Sequence, residues 1–311
     1  PIGISNCGVS AWIAGAPTRA VTLNQGVTEM MLALGLVGRM VGTAYLDDEI
    51  WPELEADYLK VPVLSATYPD IDTLMATQPD FLYASYSSAF QARTEEGSTR
   101  TDYFKAELKE VLGIQTYLQT PYCELSTHRP DELTLNELYE EIWDLALIFD
   151  AFPAARQLVD TIEGHFENAT KLVQNHATIA ERENKRPSSL NVLWLDSWDD
   201  NNPFVGACCG SVNTIIEYSG ATNIFADLGA DERRTWDHVS WDAIAERDPD
   251  VMIIVDASWD LAAEKIFNLC SNNQTRALRA VQTRRFITVP FSATTLGVRI
   301  GSVSYNLAEA V

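Results

Sequence analysis

In the first part of the chain, segments whose apolar residues recur with the spacing typical of strands are followed by segments whose apolar residues recur with the spacing typical of helices. Strands are predicted at residues 19–23, 40–44 and 81–84. Between the first two strands, Thr28 is expected to cap a helix that ends near Gly35 or Gly38, and a short helix is expected over residues 72–78. This order of strands and helices predicts a parallel sheet with helices on its faces.

The second part of the chain repeats this pattern. It predicts a strand over residues 190–195, a helix over 212–218 and a strand over 222–225. Residues 72–83 and 242–253 also share one register, in which an Asp is followed by a helical turn, a Pro-Asp pair and a buried strand. Such internal similarity indicates repeated βα units.

A helical stretch separates the two parts. Residues 132–149 place apolar side chains at helical spacing, and a second helix is expected from Pro153 to about Ala180. The predicted fold class is therefore α/β, with two Rossmann-like lobes joined by a long helix and a ligand cleft between the lobes. The expected boundaries are 1–130 for the N-terminal α/β lobe, 131–187 for the connecting helical spine and 188–311 for the C-terminal α/β lobe.

The charge of the chain narrows the classes of partner. Its 311 residues include 44 Asp and Glu against 22 Lys and Arg, a formal net charge of -22. A surface this acidic repels phosphate backbones and anionic membranes, so nucleic acid is not an expected partner. The excess of acidic over basic residues favours solubility, suits a salty habitat, or attracts cationic ligands.

The five cysteines favour disulfides over a metal site. They are Cys7, Cys123, Cys208, Cys209 and Cys270. None lies in a C-x-x-C motif or at zinc-ligand spacing, so no structural metal is expected. Cysteines scattered over distant segments suit long-range disulfides in an oxidising compartment. We expect Cys7 to pair with Cys123 and Cys270 to pair with either Cys208 or Cys209, which leaves one thiol over.

Enzyme signatures are missing from the sequence. It has no Walker A loop, no G-x-G-x-x-G after a strand, no G-x-S-x-G and no H-E-x-x-H. The histidines are scattered, at His128, His165, His176 and His238. No residue is a candidate nucleophile or general base, so we expect a binding protein rather than an enzyme.

Aromatic side chains gather where the predicted strands end. Ligands of open α/β sheets bind at the carboxyl ends of the strands. Aromatic residues on both lobes, together with one arginine, follow or lie near these ends, and they predict an aromatic-lined cleft with polar tips. The predicted ligand-binding residues are Tyr45, Trp51, Tyr86, Trp198, Trp236, Trp259, Phe291 and Arg299.

Several segments carry a family resemblance that spans nearly the whole chain. They include residues 19–24, 28–35, 39–43, 74–80, 219–225 and 239–250. In these segments the sequence resembles bacterial ABC-transporter solute-binding proteins that carry ferric siderophores, haem and cobalamin. The resemblance implies two α/β lobes joined by one long helix. It also implies an extracytoplasmic location, whether periplasmic, cell-surface or secreted.

The resemblance further implies partners. An ABC permease or a membrane uptake receptor would receive the ligand, and the permease would dock at Asp72 on the first lobe and Glu217 on the second. The expected ligand is a ferric siderophore of the hydroxamate type. The protein itself is expected to be a monomer without an intrinsic cofactor. Aromatic rings would cover its organic shell while Arg299 meets its oxygens.

Other ligands of the same family stay open at this point. They are cobalamin or another corrinoid, haem, and a deazaflavin precursor. The N-glycosylation sequons at Asn168 and Asn273, with the Cys208–Cys209 pair, also leave open a eukaryotic surface receptor that uses the same fold.

Overall fold

The structure, a computed structural model, describes residues 2–90, 108, 112–130, 133–182, 189–231 and 234–311. Its contacts divide the chain into two compact units. Residues 1–131 and 135–159 form unit one, and residues 132–134 and 160–311 form unit two. Each unit has its own sheet, so the predicted fold class with two α/β lobes is confirmed.

Unit one contains a parallel five-stranded sheet and a separate hairpin. Its strands are β1 (Ile2–Asn6), β2 (Val9–Ile13), β3 (Ala20–Leu23), β4 (Met40–Ala44), β5 (Val63–Ser65), β6 (Phe81–Ala84) and β7 (Gln115–Leu118). Its helices are α1 (Gln25–Ala33), α2 (Glu55–Tyr58), α3 (Ile71–Ala76) and α4 (Leu135–Phe149). The order in the sheet is β5-β4-β3-β6-β7, with every neighbouring pair parallel, while β1 and β2 pair antiparallel.

A long helix, α5 (Phe152–Arg182), carries the chain from unit one into unit two. The strands of unit two are β8 (Asn191–Ser197), β9 (Phe204–Gly206), β10 (Thr222–Asn223), β11 (Trp236–His238), β12 (Val251–Asp256) and β13 (Phe286–Pro290). Its other helices are α6 (Gly210–Tyr218), α7 (Trp241–Arg247), α8 (Ala262–Ser271), α9 (Arg279–Gln282) and α10 (Ile300–Ala310).

The sheet of unit two follows the order β11-β9-β8-β12-β13, with β10 paired to β8. The consecutive strands β8, β12 and β13 are parallel, and β9 runs antiparallel to both of its neighbours. Short 3-10 turns complete the described elements of both units, at Val37–Arg39, Pro52–Leu54, Ser87–Phe90, Thr120–Tyr122, Ser126–His128 and Phe291–Ala293.

The internal repeat seen in the sequence has a structural function. Asp80 precedes β6, and its carboxylate accepts a hydrogen bond of 2.9 Å from the backbone N–H of Arg19, just before β3. Asp250 precedes β12 in unit two. Its carboxylate accepts a hydrogen bond of 3.0 Å from the backbone N–H of Asn191, the first residue of β8. Each Pro-Asp pair therefore fixes the start of the neighbouring parallel strand by accepting from its backbone.

The predicted helix start at Thr28 is wrong. Helix α1 begins earlier, at Gln25, and Asn24 is its N-cap. Thr28 is buried inside the helix, where its hydroxyl donates to the Asn24 carbonyl at 2.7 Å and lies 2.8 Å from the Thr43 hydroxyl. A threonine that pairs with the sheet in this way looks in sequence like a capping residue, because both roles use the same hydroxyl.

Candidate functional site

Three neighbouring strands of unit one bring an aromatic pair together at their carboxyl ends. Tyr45 directly follows β4, with a φ of 56°, and Tyr68 follows β5. The two rings meet edge to face, with centroids 4.6 Å apart. The Tyr68 hydroxyl donates at 3.0 Å to Oδ1 of Asn24, the buried residue that follows β3. Hydrogen bonding and ring packing thus fix both tyrosines relative to the sheet.

A half-buried carboxylate lies beside this pair. Burial raises the pKa of Asp47 to about 6, and the neighbouring Asp48 carboxylate adds to the increase. The pKa of Tyr68 is also raised, chiefly by burial, and Tyr45 and Asp47 contribute because negative charge close to the phenol opposes its ionisation. The Asp47 charge is therefore one of the groups that act on the Tyr68 phenol.

Trp51 is held by a buried polar pair at the start of α1. The backbone N–H of Trp51 donates to Oε1 of Glu29 at 3.0 Å. Gln25 donates through Nε2 to the same oxygen at 2.8 Å and to the Glu49 carbonyl at 3.0 Å. The Gln25 and Glu29 side chains are both buried, while Trp51 is half-buried. The structure thus places Trp51 on a loop that is anchored to α1.

A second aromatic pair follows β6 and β7. The half-buried rings of Tyr86 and Tyr122 pack edge to face at 4.6 Å, and burial raises the pKa of Tyr122 to about 12. Next to this pair, Cys7 forms a disulfide with Cys123, with Cα atoms 5.4 Å apart. The Asn6 side chain also exchanges two hydrogen bonds of 2.8 Å with the backbone of Leu118. The hairpin turn is therefore fixed to the carboxyl end of β7.

The parallel strands β8, β12 and β13 of unit two are also followed by aromatic residues. Trp198 directly follows β8, Trp259 follows β12 and Phe291 follows β13. The Trp259 and Phe291 rings pack edge to face at 5.0 Å, yet Trp259 is 59% exposed. Trp198 is half-buried and packs on the buried Trp241, with ring centroids 4.8 Å apart.

A buried lysine beneath these residues joins the ends of β8 and β12. Lys265, on α8, is 1% exposed, and its Nζ donates to the carbonyls of Asp196 at 2.6 Å and Val255 at 2.7 Å. It also forms an ion pair of 3.0 Å with Asp260. The same Asp260 carboxylate accepts from the backbone N–H of Trp198 at 3.2 Å. Lys265 thus holds in place the loops that carry Trp198 and Trp259.

Two of the predicted ligand-binding residues have other surroundings. Trp236 is the first residue of β11 and pairs with Gly206, the last residue of β9. The predicted strand before it shrinks to the two residues of β10, and the chain turns before it re-enters the sheet. Arg299 is the N-cap residue of α10 and is buried, with 8% of its surface exposed.

The cysteine pairing of unit two differs from the expectation. Cys208 and Cys209 form a disulfide with each other, directly before α6, and Cys270 is a free thiol. The expected bond from Cys270 to Cys208 or Cys209 is therefore wrong. Cys270 lies on the exposed side of α8, whereas Cys208 is buried. Two adjacent cysteines can form a disulfide with each other without any contact between distant segments. The spacing of cysteines in the sequence does not show whether they do so.

Both predicted docking carboxylates are exposed. Asp72 lies in the first turn of α3, and Glu217 lies on α6, where it accepts a hydrogen bond of 2.7 Å from the Asn213 amide. Within the described part of the chain, no cluster of three or more His, Cys, Asp or Glu side chains is arranged to hold a metal ion. None of the helices searched there combines the length and the apolar character that a membrane crossing needs.

The comparisons with known proteins agree on one family. The family model for periplasmic binding proteins matches residues 21–293. A periplasmic binding protein from Veillonella parvula is 27% identical, with a TM-score of 0.79 and coverage of 100% of this chain and 97% of that one. No curated protein matches the chain.

More distant structures share the fold. A protein described as an ABC-type Fe3+-hydroxamate transport system, from Saccharomonospora viridis, is 21% identical, with a TM-score of 0.71 and coverage of 100% and 98%. A periplasmic haem-binding protein of Vibrio cholerae is 18% identical, with a TM-score of 0.66 and coverage of 94% and 98%. The matching family model is one of binding proteins, which confirms the expectation that the chain is not an enzyme. Because the family model covers most of its length, the chain belongs to the periplasmic binding protein family.

Proposed function

We propose that this chain is an extracytoplasmic binding protein for a ferric siderophore of the hydroxamate type, and that it delivers this chelate for iron uptake. The chelator would already coordinate the iron when the protein binds the complex, so the iron is part of the ligand and not a cofactor of the protein. The protein would then recognise an organic shell with a few polar atoms. Aromatic rings suit that task, because their faces cover apolar surface and their edges and hydroxyls meet oxygen atoms.

The observation that carries the proposal is the placement of aromatic rings at the carboxyl edge of each sheet. Unit one supplies Tyr45 and Tyr86, and unit two supplies Trp198, Trp259 and Phe291. Trp259 is the most informative of these, because an indole that is 59% exposed although it packs on Phe291 presents free apolar area. Large exposed apolar groups of this kind mark binding surfaces. That one ligand contacts both units stays a prediction.

Calorimetric titration tests the proposal directly. The wild-type protein is titrated with ferrioxamine B, ferrichrome, haem and cobalamin, and the ferric hydroxamates are expected to bind most tightly. Trp259→Ala is expected to weaken that binding about 2- to 10-fold, since an aromatic contact contributes roughly 0.5–1.5 kcal/mol. Tight binding of haem or cobalamin with no binding of either hydroxamate would contradict the proposal.

The hairpin of unit one offers a matched control for this substitution. Trp12 on β2 is 72% exposed, so Trp12→Ala removes an indole that is at least as accessible as Trp259. Its ring packs over Gly3, where an added Cβ would lie 3.2 Å from it, and it does not follow a strand of the parallel sheet. Trp12→Ala is expected to leave the affinity for ferric hydroxamates unchanged. Equal losses in both variants would show that Trp259 is not part of the site.

Delivery requires a membrane partner, and we propose that it is an ABC permease that contacts Asp72 and Glu217. Both carboxylates are exposed, so basic pockets on a permease could reach them. The double charge reversal Asp72→Lys with Glu217→Lys should abolish siderophore-dependent growth while leaving the calorimetric affinity for the chelate unchanged. Undiminished growth would remove both residues from the docking surface.

A further inference from the structure

Asp47 in unit one is a half-buried carboxylate. Within the described part of the chain, no Lys, Arg or His forms an ion pair with it. Burial and the neighbouring Asp48 both oppose its ionisation, and they raise its pKa to about 6. A positive group bound next to Asp47 would offset both effects, since an opposite charge favours the ionised form.

The lysine and arginine side chains in the described part of unit one are occupied elsewhere. They are Arg19, Arg39, Lys60, Arg129 and Arg156. Arg19 donates to the Thr77 and Gln78 carbonyls, and Arg39 donates to the Pro17 carbonyl. Lys60 pairs with the Asp57 carboxylate. Arg129 donates to the Cys123 and Glu124 carbonyls. The last, Arg156, lies over the ring of Trp143 at 5.5 Å. None of these contacts neutralises Asp47.

The tyrosines beside Asp47 are suited to the same positive group. Tyr45 and Tyr68 pack edge to face at 4.6 Å, and both are only half-buried. The electron-rich face of an aromatic ring attracts an ammonium group that comes within about 6 Å of its centre. A carboxylate with aromatic rings at its side is the combination that binds an alkylammonium group.

An independent observation at the start of α1 also indicates a missing donor. Gln25 is 3% exposed, and its Oε1 is buried without a hydrogen-bond partner among the described residues. Its orientation is fixed, because Nε2 donates to two acceptors, Glu29 Oε1 and the Glu49 carbonyl. A buried amide oxygen without a donor is unfavourable. The Gln25 side chain contacts the loop that carries Asp47 and Asp48 through the hydrogen bond from its Nε2 to the Glu49 carbonyl.

We propose that this edge of unit one, formed by Asn24, Gln25, Tyr45, Asp47 and Tyr68, binds a protonated amine of the ligand. The inference rests on the proposed function and narrows it. The substrate is then a ferric hydroxamate that carries an alkylammonium group, rather than a neutral ferric hydroxamate. The net charge of -22 favours the approach of such a cationic chelate over longer distances.

Ferrioxamine B provides a direct test, because it is a linear ferric trihydroxamate with one protonated terminal amine. Acetylation of that amine removes the charge and leaves the iron-binding part unchanged. Calorimetry at pH 7.5 (about one and a half units above the pKa of Asp47) compares the two forms on the wild-type protein. The amine form is expected to bind about tenfold more tightly than the acetylated form.

Substitution of the carboxylate locates the preference. Asp47→Asn is expected to reduce the affinity for the amine form to that for the acetylated form, while the affinity for the acetylated form stays the same. Glu55→Gln removes one exposed negative charge from α2 of the same unit and is expected to preserve the tenfold preference. Circular dichroism melting curves verify that both variants are folded.

The possible failures are distinguishable. Equal affinity of the wild-type protein for both forms would overturn the amine site and leave the proposed function standing. A preference that survives Asp47→Asn would also overturn it. If neither form binds, the proposed function fails, and this inference fails with it.

Discussion

Tyr45 and Tyr68 follow two neighbouring parallel strands, β4 and β5, and their rings meet edge to face at 4.6 Å. The contact depends on Asn24, which follows the next strand along the sheet and accepts a hydrogen bond from the Tyr68 hydroxyl at 3.0 Å. One aromatic pair therefore connects the ends of three strands.

Tyr68→Phe is expected to destabilise unit one. The substitution keeps the ring contact with Tyr45 but leaves the buried Oδ1 of Asn24 without this donor. An unpaired buried acceptor costs about 1–3 kcal/mol. Urea unfolding followed by circular dichroism measures the loss as a lower free energy of unfolding at an unchanged dependence on urea.

Tyr58→Phe is the matched control for this prediction. Tyr58 is half-buried on α2, and only burial shifts its pKa, which is consistent with a hydroxyl without a hydrogen bond. Its substitution is expected to change the free energy of unfolding by less than about 0.5 kcal/mol. If Tyr68→Phe were equally harmless, the hydrogen bond to Asn24 would not stabilise this edge.

The sequence predicted most of the sheet of unit one because its central strands are short, apolar and bounded by breakers. The predicted strands 40–44 and 81–84 coincide with β4 and β6, so the positions of Tyr45 and Tyr86 followed from the rule that ligand residues lie after strands. Strand β5 was missed, because Val63-Leu64-Ser65 is too short and too exposed to give a periodic signal. Tyr68 was missed with it.

The functional roles of charged residues were harder to predict. Lys265 lies on an amphipathic helix, where a lysine is normally exposed, and only the tertiary structure reveals that it is buried between carbonyls. Likewise, Asp47 is one of 44 acidic residues, and its environment depends on loops from neighbouring strands. Sequence patterns locate the ends of strands, but they do not report which polar groups share a buried space.

The two disulfides are expected to differ in their contribution to stability. Cys7 and Cys123 are 116 residues apart, so their bond restricts a long loop of the unfolded chain. Replacing both by Ser is expected to lower the free energy of unfolding by about 2–4 kcal/mol. Replacing the adjacent Cys208 and Cys209 by Ser should have a smaller effect, because no chain lies between them.

Thiol titration checks the pairing itself. The native protein should expose one reactive thiol, that of Cys270, and the denatured, reduced protein should show five. Alkylation of the native protein followed by peptide mass spectrometry should label Cys270 alone. A label on Cys208 or Cys209 in the native, unreduced protein would contradict the bond between them.

A buried carboxyl group should make unit one less stable at higher pH. Glu141 on α4 is buried, accepts hydrogen bonds from the Tyr83 hydroxyl and from the Gln119 amide at 3.0 Å, and burial raises its pKa well above the usual value. Between its unfolded pKa, about 4.3, and its folded pKa, the folded state holds the extra proton. Stability therefore falls as pH rises through this window, by up to about 1.4 kcal/mol per pH unit.

Glu141→Gln is expected to flatten this dependence, because an amide does not titrate. Urea unfolding at pH 5, 6, 7 and 8 measures it, with the neighbouring exposed Glu140→Gln as the control that keeps the wild-type slope. Asp144, whose pKa burial also raises, remains in both variants and contributes equally to them. Parallel pH profiles for the wild-type protein and Glu141→Gln would contradict the prediction.

Lys265→Met is expected to affect both stability and ligand binding in unit two. The substitution keeps the length of the side chain but leaves the Asp196 and Val255 carbonyls without their donor and Asp260 without its cation. Removing one partner of such a buried cluster costs about 2–4 kcal/mol. Asp260 also accepts a hydrogen bond from the backbone N–H of Trp198. The loop that carries Trp198 should therefore loosen, and the affinity for ferric hydroxamates should fall.

The adjacent Glu264 on α8 is exposed, so Glu264→Ala should change neither property. Urea unfolding and calorimetry with ferrioxamine B measure the two properties on the same preparations. Adding Asp260→Asn to Lys265→Met should recover part of the lost stability, because it removes the carboxylate that lost its cation. It should not recover the affinity, because the bond that joined the ends of β8 and β12 is still missing. If Lys265→Met lowered stability but bound the chelate like the wild-type protein, Lys265 would support the core of unit two without positioning its aromatic edge.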